Sequence, residues 1–190
     1  MYLSKCQLDQ QAIHNPYEQH RILWKHFPDD PDAERLFLYR VEDAVKGAKT
    51  KSVLMLSIKE PQDTSIHSKI VASKPFNPYF SEGHNLRFLL EANPIKRLPD
   101  SHKRVPLIDE ETQIKWLEKK LAPAAQLCQS LVTARKNLFF RRKGLAGKIV
   151  QVRFEGILEV KNPESLRTLI ESGIGPAKSF GCGLLLIRRV

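Results

Sequence analysis

The stretch GIGPAKSFGCGLLLI, from Gly173 to Ile187, carries the clearest fold signal in this sequence. Four glycines surround one cation, Lys178, and they are Gly173, Gly175, Gly181 and Gly183. Glycine lets the backbone take positive φ and lets another backbone come close, so this segment predicts a turn before a final strand. Backbone N–H groups beside a lysine also form a cradle for phosphate. A plain turn and a phosphate-binding loop both stay open at this point.

The glycine-rich segment matches neither of two common nucleotide-binding motifs. A Walker-type loop ends in Gly-Lys-Ser or Gly-Lys-Thr, and no such tripeptide follows here. A dinucleotide-binding loop follows a strand and opens a helix, whereas this one follows a predicted helix and opens a predicted strand. A nucleotide-binding enzyme is therefore the least favoured function.

Composition favours a globular protein with a polyanionic partner. The 190 residues allow one large domain or two small ones, and a hydrophobic content of 42% is sufficient for a buried core. Lysine and arginine number 31 against 21 acidic residues, which gives a net charge of +10. Such an excess favours nucleic acid as the partner, although many basic proteins bind none.

Cysteine usage and hydropathy predict a soluble cytoplasmic protein. Cys6, Cys128 and Cys182 are widely separated and form no C-x-x-C pair, which argues against a disulfide framework or a zinc site. The opening MYLSKCQLDQQ is too polar for a signal peptide. No apolar stretch approaches the roughly 20 residues of a membrane span.

The first half of the chain predicts the order β-α-β-β-β. Asn15 and Pro16 supply a cap and a first-turn proline for a helix that runs to about Phe27. The segment from Gln62 to Ser68 has little helical signal. Strands are predicted at Met1–Leu8, Leu36–Val41, Val53–Ile58 and Lys69–Phe76.

The second half predicts the order β-α-β-β-α-β. Helices are predicted at Glu110–Leu121, capped by Asp109, and from Asn162-Pro163 to about Ser172. Gln126–Val132 is either a second helical piece or the entry to a strand. Strands are predicted at Leu86–Ala92, Asn137–Phe140, Ile149–Val160 and Leu184–Ile187.

Both halves follow the split β-α-β order of the ferredoxin-like fold. We therefore predict an α+β protein with tandem ferredoxin-like (RRM-like) β-α-β-β-α-β domains, at residues 1–82 and 86–190. The boundary between them is rich in turn-forming residues. RNA-recognition modules share this fold, but the sequence has no match to their aromatic RNP motif.

The first predicted helix carries a candidate catalytic group. Tyr17, His20 and Trp24 are spaced to share one helix face, and histidine exchanges protons near neutral pH. Arg21 and Lys25 lie beside them as cations suited to a phosphate.

This group contains the parts that RNA cleavage requires. When the 2′-OH attacks its own phosphate, a base, an acid and a cation suffice, without a metal or cofactor. Tyr17, His20 and either Lys25 or Lys178 supply these parts. The alternative is that the aromatic residues are core and His20 is a surface histidine, and His14 and His26 are equally available by composition.

Two basic segments are candidate nucleic-acid contacts. Between residues 135 and 153 there are seven cations and no acidic residue, with Phe139 and Phe140 among them. A basic hairpin with aromatic residues suits a phosphate backbone, although a solvated face is equally compatible. The cations are Arg135, Lys136, Arg141, Arg142, Lys143, Lys148 and Arg153. A smaller cluster consists of Lys96, Arg97, Lys103 and Arg104.

On these residues the chain resembles the CasE branch of CRISPR-associated repeat endoribonucleases. The similarity spans nearly the whole chain and is loosest from Ile58 to Gly83. The glycine-rich block is its most specific part. The matching blocks are MYLSK (1–5), QHRILWKHFPDDPDAERLFLYRVE (19–42), ANPIK (92–96), KRVPLI (103–108), FEGIL (154–158) and GIGPAKSFGCGLL (173–185).

The resemblance implies metal-independent cleavage of precursor CRISPR RNA at the 3′ base of the repeat hairpin. It further implies that the product is retained within the Cascade complex, so the expected partners are the repeat stem-loop and other Cascade subunits, with no cofactor and no membrane. By position, the catalytic histidine falls on His20 and its accompanying tyrosine on Tyr17. The connection from Lys96 to Lys103 is short for the family. The rival interpretation is a non-catalytic, RRM-like subunit that binds the hairpin without cutting it.

Overall fold

The computed structural model describes residues 1–9, 16–27, 37–43, 48–100, 102–142 and 145–190, and the side chains of Arg142 and Leu145 lie outside this description. In these ranges the chain forms two four-stranded antiparallel sheets and a two-stranded hairpin. No helix in the described ranges has the length and apolar character needed to cross a bilayer.

The first sheet has the strand order β2-β3-β1-β4. A helix, α1, lies between the first two strands in sequence, and residues 58–67 between β3 and β4 contain no helix, as their weak helical signal predicts. The elements are β1 (Tyr2–Leu8), α1 (Pro16–Trp24), β2 (Phe37–Val41), β3 (Lys51–Ser57) and β4 (Ser68–Pro75).

The second sheet has the order β10-β5-β9-β8, which is that of a complete ferredoxin-like unit. The two sheets confirm the tandem fold, while the domain limits at residues 82 and 86 stay a prediction. The elements are β5 (Asn85–Ala92), β6 (Ile95–Arg97), β7 (Arg104–Pro106), α2 (Glu110–Leu121), β8 (Ala125–Arg142), β9 (Leu145–Val160), α3 (Pro163–Ser172), a 3-10 turn (Lys178–Phe180) and β10 (Leu185–Arg189).

The structure differs from the sequence prediction at several places, among them β8 and β9, which were predicted only over residues 137–140 and 149–160. Helix α1 ends at Trp24 rather than Phe27, because the N–H groups of the next residues bond to the carbonyl three positions back, as Lys25 N–H does to Ile22 at 3.2 Å, in the tighter turn that often closes a helix. The ambiguous segment 126–132 is strand, within β8. The small hairpin of β6 and β7 carries no clear strand signal in the sequence and was not predicted.

The capping residues of α2 and α3 act as the sequence indicates. The Asp109 carboxylate accepts the Thr112 N–H at 2.8 Å, and the Asn162 side chain accepts the Ser165 N–H at 2.9 Å. Each cap satisfies a backbone donor that has no partner within its helix.

One apolar core joins the two sheets. Leu38 of β2 and Leu56 of β3 belong to the same buried cluster as Phe88, Phe154 and Ile170 of the second half. A separate cluster lies under α1, where Leu23 and Phe27 pack on buried strand residues. Because the core crosses from one half to the other, the position of α1 relative to the second half is fixed by apolar packing.

Gly156 permits a close contact between β8 and β9. The β8 register shifts between Leu127 and Gln129, and the Gln129 carbonyl then lies above Gly156. A Cβ atom at position 156 would come within 2.0 Å of that carbonyl oxygen. Any side chain would therefore force the long hairpin of β8 and β9 to move.

We expect Gly156→Ala to destabilise the fold by about 1–3 kcal/mol, the range typical of overpacking. Urea unfolding followed by circular dichroism measures this change. A free energy of unfolding within about 0.5 kcal/mol of the unchanged protein would contradict the close contact, because that is the usual spread of harmless surface substitutions.

Candidate active site

His20 lies within an aromatic cluster between α1 and β2. Its ring stacks on Phe37 at a centroid distance of 5.2 Å, and Trp24 lies 5.5 Å from it on the same helix face. Tyr39, two residues along β2, is 6.4 Å away. His20 is half-buried, so these rings fix its position while part of it reaches the surface. The shared helix face predicted from the spacing of Tyr17, His20 and Trp24 agrees with these contacts.

Tyr17 lies one turn before His20 and faces the second half of the protein. Its ring is 6.4 Å from Phe180 in the 3-10 turn, and Phe180 is 4.5 Å from Phe140 near the tip of β8. Phe140 covers Gly147 of β9, where a Cβ atom would come within 2.2 Å of the ring. Helix α1, the glycine-rich loop and the basic hairpin therefore meet at Tyr17.

The glycine-rich loop is folded back onto the protein. Its four glycines all have positive φ, between 76° and 95°, as the predicted turn requires. Gly183 N–H donates to the Glu91 carbonyl at 2.7 Å, and Ile174 N–H donates to the Gly183 carbonyl at 2.9 Å. The Tyr39 hydroxyl donates to the Ser179 carbonyl at 2.8 Å. Several loop amides are thus already used, which restricts the predicted phosphate cradle to the remaining ones.

An ion-pair network lies beside this loop and links the two halves. Arg153 of β9 contacts Glu91 at 2.7 Å and Asp43 at 2.8 Å, and Lys136 of β8 contacts Asp43 at 2.7 Å. Hydrogen bonds from Arg153 and then from Lys136 hold the pKa of the Asp43 carboxyl well below its usual range. Asp43 precedes the second half by a long stretch of sequence, so only the tertiary fold brings these charges together.

Glu91 and Asp43 differ in burial, and this difference sets the expected cost of removing each. Glu91 is 4% exposed and Asp43 is 59% exposed at the side chain. We expect Glu91→Ala to lower the free energy of unfolding by about 3–5 kcal/mol, as for a broken buried pair. Asp43→Ala should cost about 1 kcal/mol or less, because solvent screens exposed pairs.

Chemical denaturation of both variants at low and high salt measures the two costs. Added salt should reduce the small loss in Asp43→Ala and leave most of the loss in Glu91→Ala. Equal losses in the two variants would show that burial does not govern this network.

The alternative histidines differ from His20 in their surroundings. His26 is buried, its Nδ1 donates to the Gln62 carbonyl at 2.9 Å, and its Nε2 lies 2.9 Å from the Ser68 hydroxyl. Burial lowers the pKa of His26. Both ring nitrogens are engaged in structural contacts, so His26 links residues 62–68 to the turn that follows α1. His14 lies outside the described residues.

The predicted cations of α1 and of the small hairpin lie in separate places. Arg21 is exposed and pairs with Glu18 at 3.1 Å, while Lys25 follows the helix end and is also exposed. The second set, Lys96, Arg97, Lys103 and Arg104, lies on or next to β6 and β7. Only Arg104 of this set lines a groove beside the glycine-rich loop.

The predicted basic segment between Arg135 and Arg153, here called the basic band, lies on the long hairpin of β8 and β9. Arg135 contacts Glu110 at 3.5 Å, and Lys136 contacts Asp43 as described. Lys148 lies over the exposed Phe139 ring at 5.9 Å. Arg141 is exposed on β8, Arg142 belongs to β8 by its backbone, and Lys143 lies outside the described residues. The protein's own carboxylates thus partly neutralise the base of the band, whereas no carboxylate of the described residues pairs with Lys148.

Phe37, Tyr39 and Phe180 surround the site but were not predicted from the sequence. The alternation in FLYRV of β2 places Phe37 and Tyr39 on one sheet face, and this is the signal that identifies them. Phe180 lies within the glycine-rich block, but no spacing rule connects it to Tyr17. Its contact with Tyr17 depends on the packing of the two halves.

The sequence profile of the family described as CRISPR associated protein matches residues 1–189. The chain therefore belongs to this family of CRISPR-associated proteins.

Individual relatives agree with this assignment and confirm the resemblance to the CasE branch. The CRISPR system Cascade subunit CasE of Escherichia coli K12 is 38% identical and matches over 97% of this chain and 98% of its own. The CRISPR-associated endoribonuclease Cse3 of Thermus thermophilus is 36% identical, over 98% and 99%. A structure of CRISPR endoribonuclease Cse3 bound to 19 nt RNA is 32% identical, with a TM-score of 0.88 over 99% and 100% of the two chains.

Proposed function

We propose that this protein is a metal-independent endoribonuclease that cuts precursor CRISPR RNA at the 3′ base of each repeat hairpin. The observation that carries this proposal is the position of His20, held by Phe37 and Trp24 one turn from Tyr17. The endoribonuclease and Cascade names of its relatives, and the RNA bound in one of their structures, support it.

The chemistry is an internal transesterification. The 2′-OH of the nucleotide before the cut loses its proton to a base and attacks the adjacent phosphorus. The bond from phosphorus to the 5′-oxygen breaks, and an acid returns a proton to that oxygen. The products are a 2′,3′-cyclic phosphate and a 5′-OH, and water can later open the cycle to a 3′-phosphate. No electrons are exchanged and no co-reactant is consumed.

His20 is the proposed proton-transfer group, and Tyr17 is its proposed partner at the scissile nucleotide. The Nε2 atom of His20 is covered in the unbound protein. Bound RNA therefore requires the ring to turn within its aromatic cluster or to react through its other edge. Catalytic hydrogen bonds often form only when substrate is present, so the covered atom is compatible with this role.

The hairpin is proposed to be recognised mainly by shape and phosphates. An RNA duplex hides its base edges in a deep, narrow groove, so side chains mostly meet its backbone. Arg141, Lys148 and the exposed Phe139 form the outer part of the basic band that is proposed to follow the stem. Arg21, Trp24, Lys25, Lys178 and the loop glycines are the proposed contacts near the cut.

The product is proposed to stay bound and to join other Cascade subunits in the cytoplasm. The phosphate contacts that hold the stem are unchanged by the cut, because cleavage occurs at its base. Tight product retention would thus follow from the binding mode, and the protein would turn over slowly.

His20→Ala should lower the cleavage rate by about 10²- to 10⁴-fold, the usual contribution of a general acid–base group. Binding should change little, because phosphate contacts dominate affinity. Labelled repeat RNA, sized on a denaturing gel, measures cleavage, and a filter assay measures binding. The control is His67→Ala, since the His67 side chain faces Asp9 at 3.6 Å and is not one of the described rings around His20.

The same cleavage assay with EDTA separates the proposal from its rivals. Cleavage should persist, and the upstream product should end in a cyclic phosphate or a 3′-phosphate. Loss of activity in EDTA would refute the metal-free mechanism. Binding without any cleavage, unchanged in His20→Ala, would instead identify a non-catalytic RRM-like subunit.

Replacing Lys148 with alanine should weaken binding of the RNA hairpin and reduce its salt dependence. The slope of log K against log salt should fall by roughly 0.9 for each phosphate that the variant no longer neutralises. Lys136→Ala should have a smaller effect, because Asp43 already neutralises that cation. Titrations at several salt concentrations give the slopes. Identical slopes for all variants would show that the protein hairpin of β8 and β9 does not contact the RNA.

A further inference from the structure

A groove lies beside the glycine-rich loop, between α2 and the small hairpin of β6 and β7. Its volume is about 660 Å³, and Gly173, Gly175 and Pro176 form part of its wall. It shares Arg104 and Pro176 with an adjoining cavity of about 420 Å³, which Lys148 also lines. The two spaces therefore form one path along the surface of the second half.

The path is strongly basic. Arg104, Lys119, Lys120 and Lys148 line it, and none of its described lining residues is acidic. Within the described residues, no carboxylate forms an ion pair with any of these four cations. Four cations along one concave surface, none paired with a carboxylate of the described residues, favour a polyanion over a single phosphate.

Trp116 supplies an aromatic surface inside the groove. It is half-buried, its ring lies near Phe154 at 6.5 Å and nearly parallel to it, and its edge packs on Gly175. A Cβ atom at position 175 would come within 2.8 Å of the indole, so the loop glycine is what lets the ring lie there. The remaining exposed part of the indole faces the groove.

We propose that this groove binds unpaired RNA next to the repeat hairpin. This inference rests on the proposed function and extends it to a second RNA site. A cationic groove with an aromatic platform is the usual arrangement for single strands, because each unpaired base offers a ring face for stacking. A duplex keeps its bases stacked on one another, so Trp116 would gain little from the stem.

Lys178 links the groove to the site of His20. Its side chain lines both the groove and a cavity of about 520 Å³ that is also lined by Phe37, the stacking partner of His20. On this proposal, a strand that leaves the base of the RNA hairpin beside His20 passes Lys178 and, on the same cavity wall, Glu171 before it enters the groove. The unpaired strand can lie on the 5′ side of the stem or on the 3′ side of the cut.

The experiment compares three labelled repeat RNAs with a 2′-deoxy nucleotide at the cut: the bare hairpin, the hairpin with a 5′ extension and the hairpin with a 3′ extension. Lys119→Glu combined with Lys120→Glu should weaken binding of one extended RNA by about tenfold or more, because two phosphate-binding cations are replaced by anions. Trp116→Ala should weaken the same RNA by about tenfold through the loss of stacking, and Trp116→Phe should restore most of it. Binding of the bare hairpin should not change.

The matched control is Lys69→Glu combined with Lys74→Glu, which makes the same charge change on the exposed strand β4 of the other sheet. It should leave all three affinities close to those of the unchanged protein. Equal weakening of the bare hairpin by the groove variants would show that the groove holds the stem, and this would overturn the inference. The inference would also be overturned if neither extension increased the affinity of the RNA for the unchanged protein.

A fourth RNA, an unstructured uridine dodecamer, keeps the inference separate from the proposed function. Cleavage of the unmodified hairpin by the unchanged protein tests the proposed function alone. Dodecamer binding that depends on Trp116 and Lys119 supports the groove even if no hairpin is cut. If the RNA hairpin is cut but all variants bind the dodecamer equally, the proposed nuclease function stands and the inferred RNA site in the groove is wrong.

Discussion

The placement of the glycine-rich loop on Glu91 is the constraint on which the candidate site depends. The backbone carbonyl of this buried residue accepts the Gly183 N–H, and its carboxylate holds Arg153, which in turn reaches Asp43 of the first half. One residue of β5 therefore fixes the loop and contributes to the contact between the halves. Since Phe180 belongs to that loop, the surroundings of Tyr17 follow from the same interaction.

In this protein aromatic packing positions the residues of the candidate site, whereas the surrounding cations attract a polyanion. The rings of Phe37 and Trp24 hold His20, and Phe140 and Phe180 connect Tyr17 to the hairpin. These contacts are short-ranged and depend on shape, so they give the site its precision. The cations surround this apolar centre and act over longer distances, which suits a polyanion that must first be attracted and then aligned.

Much of the fold was predictable because its signals are local. The caps Asp109 and Asn162 and the predicted strands depend on signals that lie within a few residues, and the structure confirms them. The ambiguous segment 126–132 could not be assigned locally, because its strand pairing with β9 is a long-range interaction. The hairpin of β6 and β7 was missed for a similar reason, since strands of three residues carry too little pattern.

The sequence by itself determined the order of most elements, though not β6 and β7, together with the shared helix face of Tyr17, His20 and Trp24 and the need for glycine in the loop. All three depend on backbone geometry and spacing within one segment. Only the tertiary structure decided that Phe180 meets Tyr17, that Asp43 neutralises Lys136 and that Trp116 lines a basic groove. These contacts join residues far apart in the chain, so no local spacing rule predicts them, and the packing of the two halves decides them.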